Sequence, residues 1–130
     1  MSLDLNDIEA LDLLHRATVA GVKRDAPDLT ARQMAVLLSV YMTTPSHTVR
    51  GLSATLLVSK PAVTRALDRL SELGLIKRKT DEADRRSVLV QRTVKGSVFL
   101  REYGELIVEA ARAMRQEGAA TSTGVPRAQS

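Results

Sequence analysis

Cysteine and tryptophan are missing from this 130-residue chain, and the only aromatic side chains are Tyr41, Phe99 and Tyr103. Without cysteine there is no disulfide, no thiolate zinc site, no thiol nucleophile and no cysteine redox sensor, a composition compatible with a reducing cytoplasm. The two histidines, His15 and His47, form no HxxxH or HExxH pair, so a histidine metal site has no spacing to rest on. No apolar run approaches the roughly 20 residues that cross a bilayer, and the N-terminus is acidic instead of basic and then apolar. A GxxxxGK[ST] phosphate loop is also missing, so the string Asp81-Glu82-Ala83-Asp84, which spells a helicase box, reads as a turn. Asp4, Asp7, Glu9 and Asp12 lack the central glycine and alternating oxygens of a calcium loop and fit the first turns of a helix instead. No convergent acid, base and nucleophile can be assembled. The expectation is a non-enzymatic, cytoplasmic protein that needs no cofactor, no metal and no membrane.

What the chain does have is charge in one place. Residues 1–49 hold four Lys/Arg against six Asp/Glu, residues 50–101 twelve against five, and residues 102–130 three against four. The balances of −2, +7 and −1 add to the net +4 of the whole chain. A basic middle between mildly acidic ends points to a localised polyanion-binding surface. With 44% apolar residues, the chain is long enough for one core and too short for two ordinary domains.

Helical spacing of Ile8, Leu11, Val19 and Val22 predicts a first helix over residues 6–24, ending before Pro27. Thr30 and Gln33 fit a capping box, with Leu29 and Met34 at the staple positions, opening a second helix that stops near Thr44-Pro45. Thr48-Val49-Arg50 reads as a short strand and residues 52–57 as a helix of little more than a turn. Ser59 caps a fourth helix over residues 60–73. At 100° per residue, Val63, Ala66, Leu67, Leu70 and Leu73 fall on one side of it, and Pro61, Thr64, Arg65, Asp68 and Glu72 on the other, flanked by Lys60 and Arg69. One face is core and one is free. Gly74 is its stop. Residues 75–80 and 87–93 read as strands around a polar loop over residues 81–86, which holds Asp84, Arg85 and Arg86. Thr93 caps a last helix over residues 94–116, with an apolar stripe of Phe99, Tyr103, Ile107, Ala110 and Met114. Residues 117–130 have almost no large apolar side chains and are expected to be a disordered tail.

Two short helical patterns, a positively edged helix and a basic hairpin follow the order of a winged helix-turn-helix. The fold class expected is mainly α with a small β-hairpin wing. A single domain of residues 1–116 is expected, in which the helices near 6–24 and 94–116 serve dimerisation.

The segments LTARQMAVL, LSATLLVSKPAVTRALDRLSELGLIKR and DEADRRSVLVQRTVKG resemble, in that order and spacing, the MarR family of bacterial transcription regulators over about residues 29–97. The resemblance implies a homodimer whose recognition helices enter successive major grooves of double-stranded DNA. Carried over by position, Arg86 is the wing arginine of the minor groove and Asp84 the carboxylate that orients it. Lys60, Pro61, Ala62, Thr64 and Arg65 form the groove-facing start of the recognition helix, capped by Ser59. Arg65 and Lys60 can donate to the acceptor edge of guanine, and Thr64 can meet a thymine methyl or a phosphate. Asp68 is expected to hold Arg65 or Arg69. Arg50, Arg69, Lys77, Arg78 and Lys79 are candidates for phosphate contacts, which position without specifying. For residues 77–79, protection of a sheet edge fits about as well. Leu57 stands where the family has a small residue, so the turn either avoids positive φ or accepts roughly 1 kcal/mol of strain. The C-terminal region has room for one long helix where the family usually has two.

Two functions follow. The favoured one is a dimeric, sequence-specific regulator that represses by occupying a palindromic promoter site, in the cytoplasm and associated with the nucleoid, with a small-molecule effector of open identity. The alternative is a winged-helix adaptor, for protein interaction or nucleoid association, without base readout.

Overall fold

The computed structural model describes residues 3–121. Its elements are α1 (Asp7–Lys23), α2 (Ala31–Met42), β1 (His47–Thr48), α3 (Val49–Leu56), α4 (Lys60–Glu72), β2 (Ile76–Thr80), β3 (Val88–Arg92) and α5 (Val94–Thr121). They divide into two compact units, one of residues 27–100 and one that combines the N-terminal segment through residue 26 with the chain from residue 101 onward.

In the unit of residues 27–100, each helix start is fixed by a local cap. Thr30 accepts from the Gln33 amide at 3.1 Å while the Gln33 side chain accepts from the Thr30 amide at 3.0 Å, so the expected capping box opens α2. Thr48 accepts from the Gly51 amide at 3.0 Å and starts α3 at Val49. The short strand is therefore His47–Thr48, and Val49 and Arg50, expected in it, form the first helical turn instead. Their β-branched and basic side chains suit a strand, but the Thr48 hydroxyl satisfies an orphan helix amide that a strand would leave to a partner. The three strands pair antiparallel in the order β1-β3-β2. Thr80 lies opposite Val88 and Ile76 opposite Arg92, which fixes the register of the wing.

The core of this unit is made by Val36, Leu37 and Val40 of α2, Leu52 of α3, Val63, Leu67 and Leu70 of α4, and Leu75, Ile76, Val90 and Phe99. α4 ends in a Schellman motif: Gly74 takes φ +75°, its amide reaches the Ser71 carbonyl, and the Leu75 amide returns to Leu70 at 2.9 Å. The Tyr41 hydroxyl donates to the Leu75 carbonyl at 2.6 Å and accepts from the Thr93 amide at 2.8 Å. It thereby pins α2 to both ends of the wing. Arg92 completes the arrangement, donating to the carbonyls of Val40 and Thr43 at the C-terminus of α2 at 2.9 and 3.1 Å, where a cation also meets the negative end of the helix dipole.

Leu57, between α3 and α4, settles the question its side chain raised. It takes φ 55° and ψ 42°, the left-handed region, and the Leu57 and Val58 amides both return to the Ser53 carbonyl. The turn thus accepts the strain of a side chain where glycine is at ease. Since Leu57 is 91% exposed, its removal costs little packing. Leu57→Gly is expected to raise stability by about 0.5–1 kcal/mol, the relief of strain less the added freedom of the unfolded chain. Urea unfolding measures it, and a destabilised variant would contradict the account of this turn.

The second unit is built differently. Asn6 and Glu9 form a capping box that opens α1. Arg16 donates to both carboxylate oxygens of Glu117 at 2.6 and 2.7 Å and to Asp12 at 2.8 Å. The hydrogen bonds to Glu117 and then to Asp12 hold the guanidinium above its usual pKa. Tyr103 meets Arg24, whose guanidinium carbon stands 5.3 Å from the ring centre. Residues 117–121, expected in a disordered tail, are the end of α5, and Glu117 is a member of this ion-pair cluster. The rest of the expected tail, residues 122–130, lies outside the described residues. Among the described residues of this unit only Ala17 and Ala110 are buried apolar residues, while Ile8, Leu11, Leu14 and Val22 are each at least 60% exposed.

Candidate nucleic-acid interface

The free face of α4 follows from its wheel. Val63, Ala66, Leu67 and Leu70 are buried, and Lys60, Pro61, Thr64, Arg65, Asp68 and Arg69 are exposed. Ser59 caps the helix by accepting from the Ala62 amide at 3.3 Å, and Pro61 occupies its first turn, where no helix hydrogen bond is lost. No acidic residue stands in that turn, so the positive end of the helix dipole and Lys60 face outward together. Ala62 departs from its expected place. It is 6% exposed, because in the third helical position it lies one turn before Ala66 on the core side, and it belongs to the packing and not to the groove-facing set.

The wing is closed at its tip by two aspartates. The Asp81 amide donates to the Ser87 carbonyl at 3.0 Å, and the Asp81 carboxylate accepts from the Ala83 amide at 3.0 Å. Asp84 accepts from the Arg86 amide at 3.1 Å and from the Ser87 hydroxyl at 3.3 Å. Asp84 therefore shapes the turn through the backbone of Arg86, where the sequence led us to expect a grip on the guanidinium. Arg85 and Arg86 are exposed, and among the described residues neither is held in an ion pair.

Along β2 the side chains alternate, so Arg78 shares the face of buried Ile76, and Lys77 and Lys79 take the other. Lys77 stands opposite Gln91 and Lys79 opposite Leu89. Because β2 is an edge strand, both lysines also discourage pairing with another chain, whatever else they do. Arg78 donates to Asp68 at 2.7 Å. That pairing replaces the expected one of Asp68 with Arg65 or Arg69; Arg69 instead lies 3.5 Å from Glu72. The signal that could have found it is the two-residue period counted from Ile76. Arg50, in the first turn of α3, is exposed.

Thus the structure brings Lys60, Thr64 and Arg65 onto one helix face, puts Arg85 and Arg86 at the tip of a neighbouring hairpin, and joins helix to hairpin through Asp68 and Arg78. Among the described residues no group of three or more His, Cys, Asp or Glu side chains could hold a metal ion, and no helix is long and apolar enough to cross a membrane.

A helix with one exposed, basic-edged face beside a charged hairpin is the arrangement of a winged-helix fold. The sequence model of the MarR family matches residues 28–87. Over that segment the chain resembles the MarR family, and as a whole it has the winged-helix fold of the solved MarR structures. A cysteine-to-serine mutant of E. coli MarR matches with a TM-score of 0.62 and 24% identity, over 95% of this chain and 93% of the other. A glycine-to-lysine mutant of S. aureus MepR matches with a TM-score of 0.71 and 18% identity, over 88% and 85%. S. aureus MepR bound to ethidium bromide matches with a TM-score of 0.65 and 20% identity, over 85% and 77%.

Proposed function

We propose that the protein is a homodimeric, sequence-specific DNA-binding regulator, without enzymatic activity, that represses by occupying a near-palindromic promoter site. The observation that carries the reading is the exposed α4 face of Lys60, Thr64 and Arg65, placed beside a wing tip whose arginines are exposed. An unpaired arginine on a narrow hairpin suits the electronegative minor groove, and an exposed helix face with basic side chains suits the major groove. Arg50, Arg69, Lys77 and Lys79 are assigned to phosphates, and Ser59 to the helix N-terminus that meets one. A small-molecule effector belongs to the same reading. Its support is the ethidium-bound S. aureus relative and a cleft of about 390 Å³ between the start of α1 and the end of α5, lined by Leu5, Ile8, Leu13 and Met114.

The test is binding of the full chain to a duplex selected from random sequence, compared with unselected DNA at several salt concentrations. Arg86→Ala is expected to weaken the selected site by about 1–3 kcal/mol in a protein that stays folded, since the side chain supports nothing else. Unchanged affinity would remove the wing from the reading. Arg65→Ala is expected to relax preference at one base position in each half-site. Lys79→Ala should weaken all sequences about equally and flatten the salt dependence by roughly one unit. If both substitutions act alike across a panel of site variants, α4 reads no bases. The adaptor alternative predicts equal affinity for selected and random duplexes.

A further inference from the structure

Asp68 is a carboxylate on the free face of α4, one turn beyond Thr64 and Arg65, where a phosphate would be repelled. Its partner is Arg78 on β2, at 2.7 Å. The side chains remain 55% and 33% exposed, respectively, so the pair contributes little to stability, because water and salt screen it. Its placement is another matter. Among the described residues it is the one ion pair that joins α4 to the wing, whereas the other pair on α4, Arg69 with Glu72, stays within the helix.

The wing is a lever. Its two strands are five residues long and carry Arg85 and Arg86 about 15–20 Å from their base, so a pivot of about 10° would move the tip by about 3 Å. That is the difference between a hydrogen bond made and lost. β2 is held at its base by buried Ile76 and its remaining residues are exposed, while on β3 the buried Val90, opposite Arg78, ties the hairpin to the core at the same level. Arg78 is the point along the strand at which a side chain reaches back to the helix.

We propose that Asp68 is a positioning residue: through Arg78 it fixes the angle between wing and recognition helix, so that one DNA site meets both together. Asp68 makes no contact with DNA itself, and by neutralising Arg78 it also lowers attachment to DNA of any sequence. The inference rests on the DNA-binding reading above for its effect on specificity, and on the ion pair alone for its effect on geometry.

The absence of native cysteine allows both to be tested in the full chain. Spin labels at Glu72→Cys and Glu82→Cys, diluted with unlabelled chain, report the distance from helix to wing tip without DNA. One narrow distribution is expected, broadened by Asp68→Asn and narrowed again in the charge-swapped pair Asp68→Arg with Arg78→Asp. In titrations without labels, Asp68→Asn is expected to lower the ratio of selected-site to random affinity about tenfold. Random binding should meanwhile tighten and gain about one unit of salt dependence. The swapped pair should recover most of the ratio. An unchanged distance distribution in Asp68→Asn overturns the proposal and leaves the DNA-binding reading standing. An unchanged ratio, or one the swapped pair does not recover, overturns the specificity role. A wild-type chain that prefers no sequence overturns the underlying reading instead, and the distance result then decides the geometry by itself.

Discussion

Ile8→Glu together with Ile107→Glu is expected to turn the protein into a monomer that loses at least a hundredfold in affinity for its selected site. Among its described residues, the unit of α1 and the later part of α5 buries only Ala17 and Ala110, while Leu5, Ile8, Leu11, Leu14, Val22 and Val108 remain at least 47% exposed. Two buried alanines cannot offset the conformational entropy of ordering these helices. A second copy related by a two-fold axis would supply the missing core, because the same stripe on each chain can cover the other. Ile8 and Ile107, at 69% and 39% exposure, can carry a charge in the isolated chain, whereas Met114 is half-buried and its substitution would also disturb the unit from within. The loss in affinity follows from multivalency: with one half-site engaged, the second no longer binds at high local concentration. Sedimentation equilibrium and DNA titration measure the two effects. A variant that remains dimeric, or a monomer that binds like the wild type, would contradict this role for the stripe.

Gly96→Ala is expected to destabilise the winged-helix unit by about 3 kcal/mol or more. A Cβ at residue 96 would overlap the Tyr41 hydroxyl and the Leu75 carbonyl oxygen. Neither can step aside cheaply. The hydroxyl bridges the Leu75 carbonyl and the Thr93 amide, and the carbonyl is backbone at the entry to β2. Relief would require α5 to move away from the wing, with the loss of buried hydrogen bonds as well as packing. Calorimetry and urea unfolding should agree on the size of the loss, and a variant as stable as the wild type would show that the contact between Gly96 and Tyr41 is not needed.

Much of this architecture was legible because its determinants are local. Thr30 and Gln33, Ser59, Gly74 and Thr93 act within four residues of themselves or end a helix by their own conformation, and the helical period of Val63, Leu67 and Leu70 separates core from free face without reference to the rest of the chain. Determinants that cross the structure were not legible. The helical start at Val49 is the exception, since its cap is as local as the others, with Thr48 accepting from the Gly51 amide, but the strand composition of Thr48-Val49-Arg50 masks it. The continuation of α5 beyond Gln116 goes with the clasp of Glu117 by Arg16, about a hundred residues earlier in the chain. For Asp68 helical spacing offers neighbours on its own helix first, while its partner Arg78 sits ten residues on, across a turn. For Ala62 the resemblance implies a groove residue, whereas its place one turn before Ala66 puts it on the core side.

The most direct measurement is a salt-dependent titration of the full chain against a duplex selected from random sequence and against a scrambled duplex of the same composition, with the stoichiometry read in parallel. The account predicts two chains per selected site, half-sites about 10 base pairs apart, and a preference of at least about a thousandfold near physiological salt. Equal affinity for the two duplexes, falling together with salt, would contradict it.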